Sequence, residues 1–377
     1  MKFMVEYESE GGSFAALCAR YKVSRTTGYK WVERFEEEGI DGLWERSRAP
    51  NHVGHALDGK LAKMILATRA ARPTWGPRKL LAWLKVKHPQ VKWCAISTAG
   101  ELLRRNGLTE PRNYRRHSAP RLEPLTACTH ANAVWCTDFK GWFRLGNGRR
   151  CDPWTLTDGW SRYLLRVTAM HHQELEPVRR GFVAAFLENG LPEVIRSDNG
   201  LPFAGLGFGG LSQLSVWWIK LGIWPERIRP GKPQENGRHE RMHRTLLETS
   251  QPPEHTLGGQ QRRFDAFRED FNEERPHESL ADQPPGRRYK RSNRPYPKQT
   301  PQVAYDAGLL TKRVHQHGDI SWRGERLFLS EALAGEHVAF EPMSDGGWLI
   351  RFGPMRFAKL NERKRRIEEL KVEDLKS

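Results

Sequence analysis

The sequence predicts a multi-domain α+β protein, with helical modules at the N-terminus, an α/β domain in the middle and a small β-barrel at the C-terminus. Three observations lead to this prediction. Apolar residues recur with helical spacing over residues 1–50 and again over 58–108. Strand-like and helix-like segments alternate over residues 132–280. Short alternating runs with a hairpin signal fill residues 311–360.

The chain is strongly basic and long enough for several domains with sizeable cores. Its 377 residues include 62 Lys and Arg against 45 Asp and Glu, which gives a net charge of +17. Because the basic residues are spread over several segments rather than one tail, this balance favours a polyanionic partner. The five cysteines are scattered without a C-x-x-C pair, which predicts reduced thiols in a cytoplasm. No apolar run suits a membrane helix.

Residues 1–50 are predicted to form a DNA-binding helix-turn-helix. Ser13 caps the first helix, and Ser24 caps a second helix over 25–38 that ends at a glycine. In this motif the early residues of the second helix reach base edges in the major groove. The residues predicted to bind DNA there are Arg25, Thr26, Thr27, Tyr29 and Lys30. A three-helix bundle with a polar face is the alternative.

Residues 58–108 predict a second helical, helix-turn-helix-like module that binds DNA. Pro77 lies at a helix start, where its missing N–H costs nothing, and Thr98 with Glu101 is a capping box that opens a third helix. The candidate phosphate contacts, which ordinary surface charges explain equally well, are Lys79, Arg104 and Arg105. The basic segment 109–131 is predicted to be an extended linker.

Three acids are the candidate catalytic residues. Val194 begins a β-branched run, which predicts a strand that opens into a polar loop at Asp198. Asp138 lies near the end of an earlier strand-like run. After a Pro/Gly-rich turn, a stretch without helix breakers predicts a helix that Asn236 caps and that carries Glu240 on its first turns. Carboxylates at two strand ends and on a helix face suit a divalent metal ion.

These motifs resemble the D,D,E signature of insertion-sequence transposases and retroviral integrases. The resemblance covers about residues 13 to 360. It implies a ribonuclease H-like integrase catalytic core over 132–280. The segments that carry it are the flanks of Asp138, Ser-Asp-Asn-Gly around Asp198, Pro-Gln-x-Asn-Gly-x-x-Glu ending at Glu240, 154–163 and 272–280.

The resemblance implies a chemistry that suits these residues. Phosphodiester cleavage and strand transfer are in-line displacements at phosphorus, for which two cations activate the attacking oxygen and stabilise the leaving one. The expected activity is metal-dependent cleavage of transposon-end DNA and its transfer into target DNA by direct 3′-hydroxyl attack. The implied cofactor is Mg²⁺ or Mn²⁺ as two ions, with Asp138 bridging both and Asp198 and Glu240 holding one each. The implied partners are transposon-end DNA, target DNA and further copies of the chain, with no membrane.

The third acid has a rival. Between Asp198 and Glu240 lie 41 residues, somewhat more than in the usual family pattern, whereas Glu235 would leave 36. Glu240 is favoured because it lies three residues after Gly237, as the family motif has it. It also lies on the helix rather than in the turn.

Basic residues around the acids are predicted to contact DNA, although ion pairs to residues such as Glu248 explain any one of them about as well. These residues are Arg227, Arg229, Lys232, Arg238, Arg241 and Arg244.

Beyond the core, 281–310 is predicted to be a Pro-rich basic connector and 361–377 a charged tail. The chain is expected in a prokaryotic cytoplasm, associated with the nucleoid. The alternative function is a catalytically inactive, sequence-specific DNA-binding regulator derived from a transposase. A nuclease acting on RNA–DNA hybrids would not need the helical modules.

Overall fold

The structure is a computed structural model that describes residues 1–9, 12–45, 57–109, 125–229, 237–344 and 346–370; the side chain of Arg238 lies outside this description. The chain divides into two compact units, Met1–Asp58 and Gly59–Ser377. All five cysteines carry free thiols. In the described ranges every helix is too short or too polar to span a lipid bilayer.

Short helices around a tight turn form the first unit. Its helices are α1 (Lys2–Ser9), α2 (Phe14–Arg20) and α3 (Arg25–Glu38). The predicted helix start at Ser24 is confirmed, because its hydroxyl accepts a hydrogen bond from the backbone N–H of Thr27 at 3.1 Å. Ser13 precedes α2 without a side-chain cap bond. Helix α1 was not expected from the sequence, and an edge-to-face contact between Phe3 and Phe14 joins it to α2.

The second unit begins with a helical module. Its helices are α4 (Gly59–Ala71), α5 (Pro77–Lys87) and α6 (Ile96–Arg105). Pro77 is the first residue of α5, as predicted. The predicted capping box is wrong, because α6 begins two residues before Thr98. Glu101 instead accepts hydrogen bonds from Arg104 at 2.7 Å and Arg105 at 2.8 Å, so its carboxylate is engaged one turn further along the helix.

A mixed six-stranded sheet follows. Its strands are β1 (Val134–Phe139), β2 (Phe143–Arg144), β3 (Arg150–Asp158), β4 (Leu164–Met170), β5 (Val194–Ser197) and β6 (Trp224–Arg227). The order is β2-β3-β1-β5-β6, with β4 also paired to β3. Strand β1 is antiparallel to β3 and parallel to β5. The sequence Arg150-Cys-Asp-Pro suggests a turn, but these residues begin β3, and Cys151 and Asp152 are buried.

Helices cover both faces of the sheet. They are α7 (Leu175–Asn189), α8 (Gln213–Lys220), α9 (Gly237–Thr249) and α10 (Leu257–Glu269). Consecutive residues of a strand point to opposite faces. Leu165 accordingly packs in the core with Phe182 of α7 and Trp218 of α8, whereas Leu164 packs with Leu246 of α9 and Phe264 of α10. The predicted α/β order is confirmed, and α10 is an addition to it.

The C-terminal domain is an open sheet, so the predicted small β-barrel is wrong. Its strands are β7 (Leu310–Arg313), β8 (Asp319–Trp322), β9 (Glu325–Phe328), β10 (His337–Pro342), β11 (Trp348–Phe352), β12 (Met355–Asn361) and β13 (Arg366–Glu369). The main sheet runs β13-β12-β11-β10-β7, and β8 and β9 form a separate hairpin. Its apolar face is covered partly by Val216 and Ile219 of α8, so closure is not needed to bury it. The predicted charged tail contributes β13, in which Ile367 is buried.

Candidate active site

Asp138 and Asp198 lie at the same edge of the central sheet. Asp138 is the last but one residue of β1, and Asp198 directly follows β5. Because β1 and β5 are parallel neighbours, their carboxyl ends meet at one edge. The prediction that a strand opens into a loop at Asp198 is confirmed. In that loop the backbone N–H of Gly200 donates to Asp198 Oδ1 at 3.1 Å, and Asn199 Nδ2 donates to the carbonyl of Ile228 at 2.6 Å.

Glu240 lies on the first turn of α9, exposed to solvent. The inner face of α9 packs on the sheet through Met242 and Leu246, which are buried against β4 and α10. This packing leaves Glu240 on the part of the helix that is not buried. The predicted helix is therefore confirmed, while the predicted cap Asn236 and the rival acid Glu235 lie outside the described residues.

The pKa of Asp138 shows that the three acids interact. Burial raises this pKa to about 7, the charge of Asp198 is the second cause, and the charge of Glu240 acts in the same direction. The backbone N–H of Phe139 and the charge of Lys140 act against the rise. Burial first, and the charges of the two other acids after it, therefore disfavour the ionised form of Asp138.

The donor chemistry fits a hard divalent cation. Mg²⁺ takes oxygen ligands and keeps several waters, so a few carboxylates and a substrate phosphate would complete its shell. A cation among Asp138, Asp198 and Glu240 would also favour the ionised form of Asp138, which burial and the neighbouring acids disfavour. Among the described residues, however, no group of three or more His, Cys, Asp or Glu side chains stands close enough together to hold a metal ion.

A buried network that the sequence analysis missed joins the helix of Glu240 to the strand beside Asp138. Thr155 lies opposite Asp138 in the β1–β3 pair. Its hydroxyl is 2.7 Å from His239 Nε2 and 2.6 Å from His243 Nε2. The hydroxyl of Thr157 is 2.7 Å from His239 Nδ1. The available signals were two histidines four residues apart on a helix and two threonines that alternate along a strand.

The two histidines are neutral. Burial lowers the pKa of His239 to about 3, and burial together with the neighbouring His239 lowers the pKa of His243 well below its usual value. We assign both Nε2–H groups as donors to Thr155 Oγ1, because that hydroxyl donates to the carbonyl of Asp138 at 3.2 Å. The remaining nitrogen of His243, Nδ1, lies 3.9 Å from Asp138 Oδ2.

The residues predicted to read DNA in the first unit occupy the exposed face of α3. Arg25, Thr26, Tyr29 and Lys30 line one shallow concavity on that face. Thr27 is half-buried, and its hydroxyl lies 2.8 Å from that of Ser24 at the helix start.

The basic residues predicted around the acids are placed less uniformly. Arg241 and Arg244 are exposed on α9, and Arg229 is exposed after β6. Arg227 is half-buried and donates to the carbonyl of Gly209 at 2.6 Å, which fixes the loop before α8. Two predicted contacts fall outside the described residues, namely Lys232 and the side chain of Arg238.

Models of three protein families match this chain. An integrase core domain model matches residues 221–285, a homeodomain-like domain model matches 27–103, and a helix-turn-helix domain model matches 2–51. An uncharacterized 31.7 kDa protein of the insertion element IS407 from Burkholderia multivorans is 26% identical over 235 residues, which are 61% of this chain and 79% of the relative. This chain resembles insertion-sequence transposases with an integrase-type core. The predicted resemblance and the N-terminal helix-turn-helix are confirmed.

Two solved structures resemble parts of this chain. The HTLV-2 integrase catalytic core domain in complex with magnesium is 13% identical and covers 43% of this chain and 99% of its own, with a TM-score of 0.35. A chain of the simian T-cell lymphotropic virus intasome in complex with PP2A regulatory subunit B56 gamma is 16% identical. It covers 79% of this chain and 98% of its own, with a TM-score of 0.38.

Proposed function

We propose that the chain is a D,D,E transposase, which cleaves transposon-end DNA and joins it to target DNA by direct attack of a 3′-hydroxyl. One observation carries the proposal. Asp138 near the end of β1 and Asp198 just after β5 lie at one edge of two adjacent parallel strands, and Glu240 on α9 is the third acid whose charge acts on Asp138. Carboxylates from two strand ends and one helix suit phosphoryl transfer better than they suit a purely structural role.

The proposed reaction has two displacements at phosphorus. Water first attacks the phosphodiester at the transposon end, and the broken P–O bond leaves a 3′-hydroxyl. That hydroxyl then attacks a phosphodiester of the target, so a new 3′ ester forms while a target 3′-oxygen leaves as the hydroxyl. No covalent bond to the protein is needed in either step. Two Mg²⁺ or Mn²⁺ ions, held by Asp138, Asp198 and Glu240, would supply charge stabilisation and an activated oxygen when bound.

The protein's own contribution is to position the acids and the DNA. The network of Thr155, His239 and His243 fixes the helix of Glu240 against the strand of Asp138. The helix-turn-helix of the first unit binds the transposon end through the exposed face of α3. The basic residues around α9 contact the backbone of the same DNA, and further copies of the chain hold the paired ends.

Strand transfer with the element's own end sequence and a plasmid target, in Mg²⁺, tests this function. The comparison is between wild type, Glu240→Gln and Glu235→Gln. Joining that is lost only in Glu240→Gln would support both the activity and the third ligand. Loss only in Glu235→Gln would replace the third ligand, and no joining by wild type despite specific binding of the end DNA would favour the regulator. Size-exclusion chromatography with light scattering on the end-DNA complex tests the proposed oligomer.

A further inference from the structure

A basic pocket of about 500 Å³ lies beside α9, between the helical module and the catalytic core. Its cationic lining comes from four places in the chain: α5, the turn after β3, α9, and the segment that follows α10. The cationic side chains are Lys79, Arg162, Arg241, Arg244 and Arg275. The pocket therefore gathers charges that are remote in sequence.

The pocket is lined by more cations than acids. Two carboxylates line it. Asp158 is buried and accepts hydrogen bonds from the backbone N–H groups of Asn132 and Ser161, each at 2.7 Å. Glu278 is 2.6 Å from the guanidinium of Arg78, and its charge and that of Glu248 offset the effect of burial on Lys79 only in part. The balance of charge at the cavity is therefore positive.

Burial and neighbouring positive charges lower the pKa values of two groups in this pocket, Lys79 and His277. Arg275 is buried, its guanidinium donates to Thr245 Oγ1 at 3.5 Å, and burial lowers its pKa although the charges of Asp270 and Glu248 act in the opposite direction. Burial, and then the charge of Arg275, lower the pKa of Lys79 to about 8. Burial lowers the pKa of His277 to about 3, and the charges of Lys79, Arg275 and Arg162 act in the same direction. Cations held this close are a preformed site for an anion.

The position of Lys79 is fixed by contacts of α5 with the core. Arg78 Nε lies 3.0 Å from Asp282 Oδ1. Trp83 Nε1 donates to Glu274 at 2.6 Å, and Lys87 Nζ lies 3.2 Å from the same carboxylate. These contacts flank Lys79 on the helix, so its ammonium is held at the pocket rather than carried there by a flexible segment.

We propose that this pocket binds a phosphate group of the DNA backbone, held jointly by Lys79 of the helical module and by the arginines on and around α9. Arginine and lysine both bind phosphate, and a buried guanidinium gains most from doing so because it gains a partner of opposite charge. DNA engaged by the helical module is thereby tied to the helix that carries Glu240. This inference rests on the DNA binding in the proposed function and not on its catalysis.

The test is the salt dependence of DNA binding by the full chain. Affinity for a mixed-sequence duplex is measured by fluorescence anisotropy in EDTA over a series of KCl concentrations. Each phosphate contact contributes about 0.9 to the slope of log affinity against log salt. Lys79→Gln is expected to reduce that slope by about 1, so a fourfold rise in salt weakens wild type about fourfold more than the variant. The matched control is Lys85→Gln, which removes the same charge from an exposed position of α5 and leaves the slope unchanged.

Arg241→Gln gives an independent variant, because its side chain is exposed and its loss does not disturb a core. If Lys79 and Arg241 hold one phosphate, either variant reduces the slope by about 1 and the double variant reduces it no further. Slopes equal to that of wild type in both single variants would overturn the proposal. A double variant that loses twice as much would overturn the single shared phosphate.

A second arm separates DNA phosphate from a free anion. Inorganic phosphate is titrated against wild type and Lys79→Gln, and thermal unfolding is followed. Stabilisation of wild type by inorganic phosphate, together with identical DNA slopes, would make this a small-anion site and reject the proposal. If wild type does not bind duplex DNA, both the proposed function and the phosphate site in this pocket are rejected. Normal binding by wild type with unchanged slopes in the variants rejects the pocket alone.

Discussion

Two neighbouring regions around α9 show the same electrostatic problem with opposite signs. On one, burial and then the charges of Asp198 and Glu240 raise the pKa of Asp138 to about 7. On the other, burial and then the charge of Arg275 lower the pKa of Lys79 to about 8. In each region burial and a neighbour of like charge disfavour the charged form of one group. Such perturbed groups are typical of sites that bind a ligand of opposite charge.

The two regions differ in how they are supported. The acids depend on one buried network, in which Thr155 holds both His239 and His243. The pocket depends on contacts between modules, such as the ion pair between Arg78 and Asp282. The acidic region is therefore internal to the core, whereas the basic one exists only when the helical module is packed on it.

The largest expected effect is at the acids. Asp198→Asn keeps the size of the side chain and removes its charge, so a ligand of the proposed metal site is lost. Strand transfer in Mg²⁺ is expected to fall by more than about 100-fold, since even partners of metal ligands are worth about 10–100-fold. Binding of the end DNA, measured by anisotropy, is expected to stay within about twofold of wild type. Normal joining by Asp198→Asn would remove this acid from the site.

The buried network is expected to have the next largest effect. Thr155→Val leaves the Nε2–H groups of His239 and His243 without their acceptor, which costs about 1–3 kcal/mol for each buried group left unsatisfied. We expect a lower midpoint of chemical unfolding and a Mg²⁺ requirement for strand transfer shifted about 10-fold upward. Thr155→Ser restores the hydroxyl and is the control. If Thr155→Val and Thr155→Ser behave alike, the hydroxyl does not support the site.

Asp138→Asn removes the charge of the most buried acid of the site. Burial raises the pKa of Asp138 in the folded state to about 7, from its ordinary 3.8. The free energy of unfolding therefore falls as the pH rises from about 4 to about 7, where Asp138 is ionised in the unfolded chain but still protonated in the folded one. In EDTA, Asp138→Asn is expected to be more stable than wild type at pH 8 by on the order of 2 kcal/mol, and equal to it at pH 4. Urea unfolding at both pH values measures this. A pH-independent difference would mean that the gain does not come from the charge.

Lys79→Met gives the smallest effect and the opposite pH dependence. Burial lowers the pKa of Lys79 in the folded state to about 8, from its ordinary 10.5. The free energy of unfolding of wild type therefore falls as the pH is lowered from 10.5 to 8, where Lys79 is protonated in the unfolded chain but neutral in the folded one. Without DNA the variant should exceed wild type by about 1 kcal/mol at pH 7, after allowance for solvent screening. The advantage should shrink as the pH is raised towards 10.5. Thermal unfolding of both proteins at pH 7 and pH 10 measures this advantage. A stability advantage of Lys79→Met that grows with pH would contradict the lowered pKa of Lys79.

The sequence by itself determined features that depend on near neighbours in the chain. Ser24 predicted the start of α3. A β-branched run before a polar loop predicted the strand that ends before Asp198, and a stretch without helix breakers predicted the helix of Glu240. These are short-range preferences, and the chain satisfies them locally. The three acids were selected by their motifs, which state which residues matter but not how their charges interact.

Tertiary structure decided what depends on residues far apart in the chain. Burial of Ile367 beside β12 turned an apparently charged tail into an edge strand, and packing on α8 left the C-terminal sheet open. The bond between Thr155 and His243 and the approach of Lys79 to Arg275 join positions separated by about a hundred residues or more. Their energies come from burial and from charge interactions in space, which no local pattern records.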